Sequence, residues 1–77
     1  MKIAILGAGA WGTALAIHAA QRHDVMLWSR NAQVLESLRT AGTNQRYLPD
    51  VKVPSSMGFT DRLDEAVRDA DLLVMAT

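Results

Sequence analysis

An α/β fold carried on a parallel sheet is what this sequence predicts, and three observations predict it. Short apolar runs alternate with helix-favouring segments along all 77 residues. The first run, Ile3-Ala4-Ile5-Leu6, is apolar at successive positions, which is the pattern of a strand covered on both faces. Gly7-Ala8-Gly9-Ala10-Trp11-Gly12 follows at once, a G-x-G-x-x-G spacing that reads as a strand end, a tight turn and the start of a helix.

Taken in order, Lys2–Leu6 reads as a central strand. Ala10 to about His23 is rich in alanine and reads as a helix able to lie close on the sheet. Val25-Met26-Leu27-Trp28 is the second strand. Asn31 is placed to cap a helix over Ala32–Ala41, with Val34, Leu35 and Leu38 on one face and Gly42 as its stop. Thr43–Ser56 holds both prolines and reads as an irregular connection; at about 14 residues it is long enough to suggest a functional loop. Met57–Thr60 reads as a short strand. Asp61–Ala70 follows as a helix with Leu63, Ala66 and Val67 inward and Asp61, Asp64 and Glu65 near its positive end. Asp71 leads into a last apolar strand. The order β-α-β-α-loop-β-α-β, joined by right-handed crossovers, is that of a partial Rossmann-type parallel sheet.

Bulk composition narrows the function. Eight basic and eight acidic residues cancel, and neither sign is concentrated in one stretch, which argues against a nucleic-acid partner or a membrane surface. The absence of cysteine removes disulfides and thiolate metal sites and suits a reducing compartment. No run of about 18 apolar residues occurs, and glycines interrupt what would be the apolar core of a signal peptide, so a cytoplasmic location is expected. No metal-ligand spacing is present.

The glycine turn suits a pyrophosphate. Gly7 would make the turn, Gly9 would admit the phosphates to the backbone, and Gly12 would pack helix on strand, leaving amides around Ala10 and Trp11 aimed at the anion. Sites selective for NAD place a carboxylate at the end of the second strand, for the adenosine ribose. This chain has Ser29-Arg30-Asn31 there; its nearby acid, Asp24, sits about 16 Å from the far end of the strand at about 3.3 Å per residue. A guanidinium at Arg30 can pair with a 2′-phosphate and stack on adenine, with Ser29 and Asn31 adding neutral hydrogen bonds. The expected cofactor is therefore NADP, or NAD as well; the plainer alternative leaves Arg30 as a solvated surface charge.

Residues 1–16, Leu27-Trp28-Ser29-Arg30 and above all Asn44-Gln45-Arg46-Tyr47-Leu48-Pro49 resemble the bacterial NAD(P)-dependent glycerol-3-phosphate dehydrogenases. Asp69-Ala70-Asp71, ahead of an apolar strand, is similar to the same family. The resemblance implies cofactor contacts at Ala10, Trp11, Arg30, Asn31 and Tyr47. The family commonly has serine where this chain has Ala10, a change that spares a backbone contact but not a hydroxyl contact. Read on its own, Tyr47 is equally an aromatic anchor for its loop.

The resemblance further implies an enzyme interconverting glycerol 3-phosphate and dihydroxyacetone phosphate for glycerophospholipid synthesis, with a small phosphate substrate and with its catalytic residues in later parts of the chain. No catalytic residue is expected within residues 1–77: His18 lies mid-helix among alanines, and Lys2 and Lys52 lie away from the glycines. The chain ends on the apolar run Leu72–Ala76 followed by Thr77, and is expected to be the N-terminal part of a cofactor domain. Two other readings stand beside this one: a different NADP-dependent reductase such as a ketopantoate reductase, or a non-catalytic module that binds nucleotide or forms a homo-oligomer through its unfinished sheet.

Overall fold

The computed structural model describes residues 1–44 and 48–76. Its elements are β1 (Lys2–Leu6), α1 (Ala10–Ala19), β2 (Asp24–Trp28), α2 (Ala32–Ala41), β3 (Thr43–Asn44), β4 (Leu48–Lys52), β5 (Gly58–Thr60), α3 (Leu63–Val67) and β6 (Leu72–Met75). Four of the strands form one parallel sheet in the order β5-β2-β1-β6, with Ile3 opposite Val25 on one side and Leu72 on the other.

The two faces of this sheet are covered by different helices, which is why β1 is apolar at every position after Lys2. Ile3 and Ile5 pack with Ala16 of α1 and with Val34, Leu35 and Leu38 of α2. Ala4 and Leu6 point the other way, into a smaller cluster with Ala66 of α3. Right-handed crossovers require this division: α1 and α2 carry the chain outward to β2 and β5 on one face, and α3 returns it across the other to β6. The chain therefore reverses direction of travel between β1 and β6, and the C-terminal ends of these strands mark the switch point at which open α/β sheets bind ligands.

The second helix matches its sequence pattern closely. Asn31 Oδ1 accepts from the Gln33 and Val34 amides at 2.9 and 3.3 Å, and Gly42 ends the helix at φ 69°. Both devices satisfy groups that a helix end leaves without intrahelical partners.

Elsewhere the structure corrects the expected boundaries. The first helix stops at Ala19 rather than running to His23, because the chain must reach the start of β2, where the Asp24 amide donates to the Met1 carbonyl at 3.2 Å. The third helix is confined to Leu63–Val67. At its start, Thr60 Oγ1 accepts from the Arg62 amide at 3.1 Å and holds that residue outside the helix. At its end, Asp69 adopts φ 60°, and the Asp71 amide donates to the Lys2 carbonyl at 2.7 Å, drawing the chain into β6. Leu63 was expected inward; it is 47% exposed, and Ala66 alone of this helix is fully buried. The connection Thr43–Ser56 is not irregular throughout: β3 and β4 pair antiparallel, with a shift of register between Thr43 and Asn44. Pro49 disguised β4 in the sequence, but a two-stranded ladder leaves each strand one open side, where proline's missing N–H is tolerated.

Candidate cofactor site

The loops after β1, β2 and β5 meet on one edge of the sheet, and backbone bonds fasten them together. The Gly7 amide donates to the Trp28 carbonyl at 2.9 Å and the Ser29 amide to the Thr60 carbonyl at 3.1 Å. The Ala76 amide, just past β6, donates to the Leu6 carbonyl at 2.9 Å. Asp24 lies at the opposite end of β2, beside Lys2.

The three glycines of the β1–α1 turn differ in what requires them. Gly7 has φ 123°, a region that side chains with a Cβ rarely adopt. A Cβ on Gly12 would collide with the Gly7 carbonyl oxygen and stand 3.1 Å from the Ala76 Cβ, so the missing side chain is what lets α1 press against the turn. Gly9 has neither reason. Its φ is −71°, and a Cβ built there would meet nothing within 4 Å. The space beside Gly9 is open, and in the described structure no packing against the chain requires a glycine there.

That space faces the start of α1. The helix has Gly9 as its N-cap, no side chain capping it and no acidic residue in its first turn. Its first intrahelical bond runs from the Thr13 amide to the Gly9 carbonyl at 2.9 Å, so the amides of Ala10, Trp11 and Gly12 precede the hydrogen-bonded ladder. Open donors at the positive end of a helix, beside a backbone with no Cβ, fit a pyrophosphate. Trp11, in the same turn, is 63% exposed.

At the end of β2 the residues divide their work. Ser29 is buried, and its Oγ accepts from the Asn31 amide at 3.0 Å. Asn31 commits its side-chain oxygen to the cap of α2, leaving its Nδ2 as the group with which it could reach a ligand. Arg30 is exposed, with its guanidinium carbon 5.7 Å from the centroid of the Trp28 ring. The Trp28 indole N–H in turn donates to the Asp61 carbonyl at 3.1 Å. Tyr47 lies outside the described residues.

Two buried polar residues adjoin the turn. Thr13 and Asn44 are both fully buried behind the glycine turn. Asn44 Nδ2 donates to the Ala8 carbonyl oxygen at 2.8 Å and to Thr13 Oγ1 at 2.7 Å, and Thr13 Oγ1 donates to the same carbonyl at 3.3 Å. Asn44 stands at the head of the Asn44–Pro49 motif and Thr13 within the resembling stretch 1–16, but neither position by itself shows that the two side chains meet. Among the described residues no cluster of three or more metal-ligating side chains occurs, and no helix is long and apolar enough to cross a membrane.

Comparison with known proteins gives a consistent result. The family described as NAD-dependent glycerol-3-phosphate dehydrogenase N-terminus matches residues 2–77. The NAD(P)+ glycerol-3-phosphate dehydrogenase of Dechloromonas aromatica is 48% identical over 77 residues, covering 100% of this chain and 23% of that protein. The enzyme of the same name from Nitrosomonas europaea is 52% identical over 73 residues, covering 95% of this chain and 22% of that one. The crystal structure of glycerol-3-phosphate dehydrogenase from Coxiella burnetii superposes with a TM-score of 0.87 at 35% identity, covering 96% of this chain and 23% of that one. The chain thus spans about a quarter of the length of the relatives it matches.

Proposed function

The chain belongs to the family of the NAD-dependent glycerol-3-phosphate dehydrogenase N-terminus, and from that membership we propose that it is the cofactor-binding N-terminal segment of an oxidoreductase interconverting sn-glycerol 3-phosphate and dihydroxyacetone phosphate. The observation that carries the reading is the open space at Gly9, set against the uncapped start of α1. In this reading the amides of Gly9, Ala10 and Trp11 hold the pyrophosphate, with Gly7 and Gly12 fixing the turn that presents them. Arg30 pairs with the 2′-phosphate of NADP, Asn31 adds a neutral contact through Nδ2, and Tyr47 is a further cofactor contact. NAD is accepted through the same pyrophosphate contacts without the Arg30 pair.

The nicotinamide supplies the hydride chemistry when bound. The residues of this chain bind and orient it. The groups that bind substrate and move the proton belong to later parts of a longer protein, a division supported by the quarter-length match to the relatives. A small phosphorylated substrate and a cytoplasmic setting go with this activity. The relatives carry the glycerol-3-phosphate dehydrogenase name, which favours this reading over a ketopantoate reductase.

The test is direct. The full-length protein should oxidise NADPH when given dihydroxyacetone phosphate, and residues 1–77 alone should not. Turnover by the 77-residue chain, or full-length protein that binds neither nucleotide, would sink the proposal. A second reading, self-association through the β6 edge, is favoured by one observation: Leu72, Leu73 and Met75 are all exposed on that strand. A dimeric mass for residues 1–77 that becomes monomeric on Leu73→Lys would support it.

A further inference from the structure

Behind the glycine turn, one carbonyl oxygen receives two buried donors. We infer that Asn44 and Thr13 are positioning residues that aim the Gly9 amide at the anion by gripping the Ala8 carbonyl on the other side of the same peptide bond. The inference rests on the dinucleotide reading above and adds to it two residues with no cofactor contact of their own.

The argument is one of peptide geometry. Ala8 and Gly9 share a planar trans peptide, in which the carbonyl oxygen and the amide hydrogen point in opposite directions. A carbonyl can only accept, so the group of Asn44 facing Ala8 is the amide nitrogen, at 2.8 Å. Thr13 Oγ1 accepts from that nitrogen at 2.7 Å and passes its own hydrogen to the Ala8 oxygen at 3.3 Å, so the two side chains lock each other's orientation. Both are fully buried, where an unmade bond would cost the desolvation of the group. With the oxygen drawn inward, the Gly9 N–H turns away from the two buried side chains, at a residue whose missing Cβ leaves open space. Without the grip, this glycine-flanked peptide could rotate and offer its carbonyl, a negative end, to the phosphates.

Asn44 belongs to β3, so the grip also ties the glycine turn to a segment 31 residues after Thr13. This gives the buried asparagine at the head of the Asn44–Pro49 motif a task distinct from cofactor contact.

The experiment uses the full-length protein with Asn44→Leu, Thr13→Val and Thr13→Ser, NADH and NADPH as probes, and the ¹H–¹⁵N resonance of the Gly9 amide as reporter. The pyrophosphate is common to both nucleotides, so Asn44→Leu and Thr13→Val should weaken both by the same factor, about tenfold for a lost charge-assisted hydrogen bond. The shift of the Gly9 amide on NADH binding should shrink in both and return in Thr13→Ser. Where Asn44→Leu fails to fold, the Thr13 pair reads the same grip. Unchanged affinity and an unchanged Gly9 shift in a less stable Thr13→Val protein would overturn the inference and leave the network a purely structural tie. Wild-type protein that binds neither nucleotide would instead overturn the cofactor reading, and the inference with it.

Discussion

The Arg30 guanidinium, two residues beyond the end of β2, lies 5.7 Å from the centroid of the Trp28 ring. The ring is itself held by its indole N–H on the Asp61 carbonyl. A charge that would otherwise sweep a wide surface is thereby held near the end of β2. An exposed cation–π contact of this kind contributes about 0.5–1 kcal/mol.

Arg30→Ala should weaken NADPH far more than NADH in the full-length protein, by about 1.5–3 kcal/mol, or roughly tenfold or more. Trp28→Leu should act in the same direction but by a factor of only about 2 to 5, since it removes the platform and leaves the charge. Titrating both nucleotides into both variants checks this. Equal losses for the two would mean that Arg30 does not read the 2′-phosphate.

Gly9 and Gly12 should separate binding from folding. Gly9→Ala places a methyl in open space at a φ any residue adopts, so it should change stability by about 1 kcal/mol or less, the difference between glycine and alanine at an N-cap. Its nucleotide affinity should nevertheless fall roughly tenfold or more, because the methyl stands where the pyrophosphate approaches. Gly12→Ala drives a Cβ into the Gly7 carbonyl and should cost about 1–3 kcal/mol of stability before any effect on binding. Thermal unfolding beside calorimetric titration distinguishes the two patterns.

Asn31→Ala should destabilise the protein by about 0.5–2 kcal/mol through loss of the α2 cap. Asn31→Asp keeps an oxygen for the Gln33 and Val34 amides and adds a negative charge that suits the helix start, so its stability should be preserved. The same carboxylate sits next to Arg30 and should repel a 2′-phosphate. Its NADPH affinity should drop while NADH affinity holds, and dissociation constants for the pair provide the check.

Leu73 and Met75 are 52% and 70% exposed on β6, on the same face of the sheet as α3. Exposed positions of this kind usually tolerate substitution within about 0.5 kcal/mol. If β6 is an interior strand of a longer sheet, Leu73→Lys should instead cost the full-length protein several times that, about 3 kcal/mol, because the charge would be buried without a partner. Denaturant unfolding of the full-length variant decides it, and a change within the surface range would count against a continuing sheet.

Much of this architecture was legible in the chain because its signals are local. The continuous apolar run of β1, the Asn31 cap, the Val34-Leu35-Leu38 stripe and the Gly42 stop each depend on neighbours within one or two helical turns. So do the spacing of Gly7, Gly9 and Gly12 and the place of Arg30 at the end of β2. The resemblance of Asn44–Pro49 to a dehydrogenase motif carried the family assignment, which the match over residues 2–77 then established.

What tertiary structure decided was where long-range bonds override local preference. Lys2 and Met1 draw the chain back into register, which shortens α1 and ends α3 early. Antiparallel pairing makes strands of Thr43–Asn44 and Leu48–Lys52, where proline and polar residues gave no strand pattern. Asn44, Thr13 and Ala8 meet only because β3 folds back behind the glycine turn. Periodicity reports which side of an element faces inward. It cannot report which buried polar group a distant one will meet, since that depends on the three-dimensional path between them. The six residues Gly7–Gly12 thus show the spacing of a dinucleotide turn on their own, but the Ala8 carbonyl within them is held by an asparagine 36 positions away.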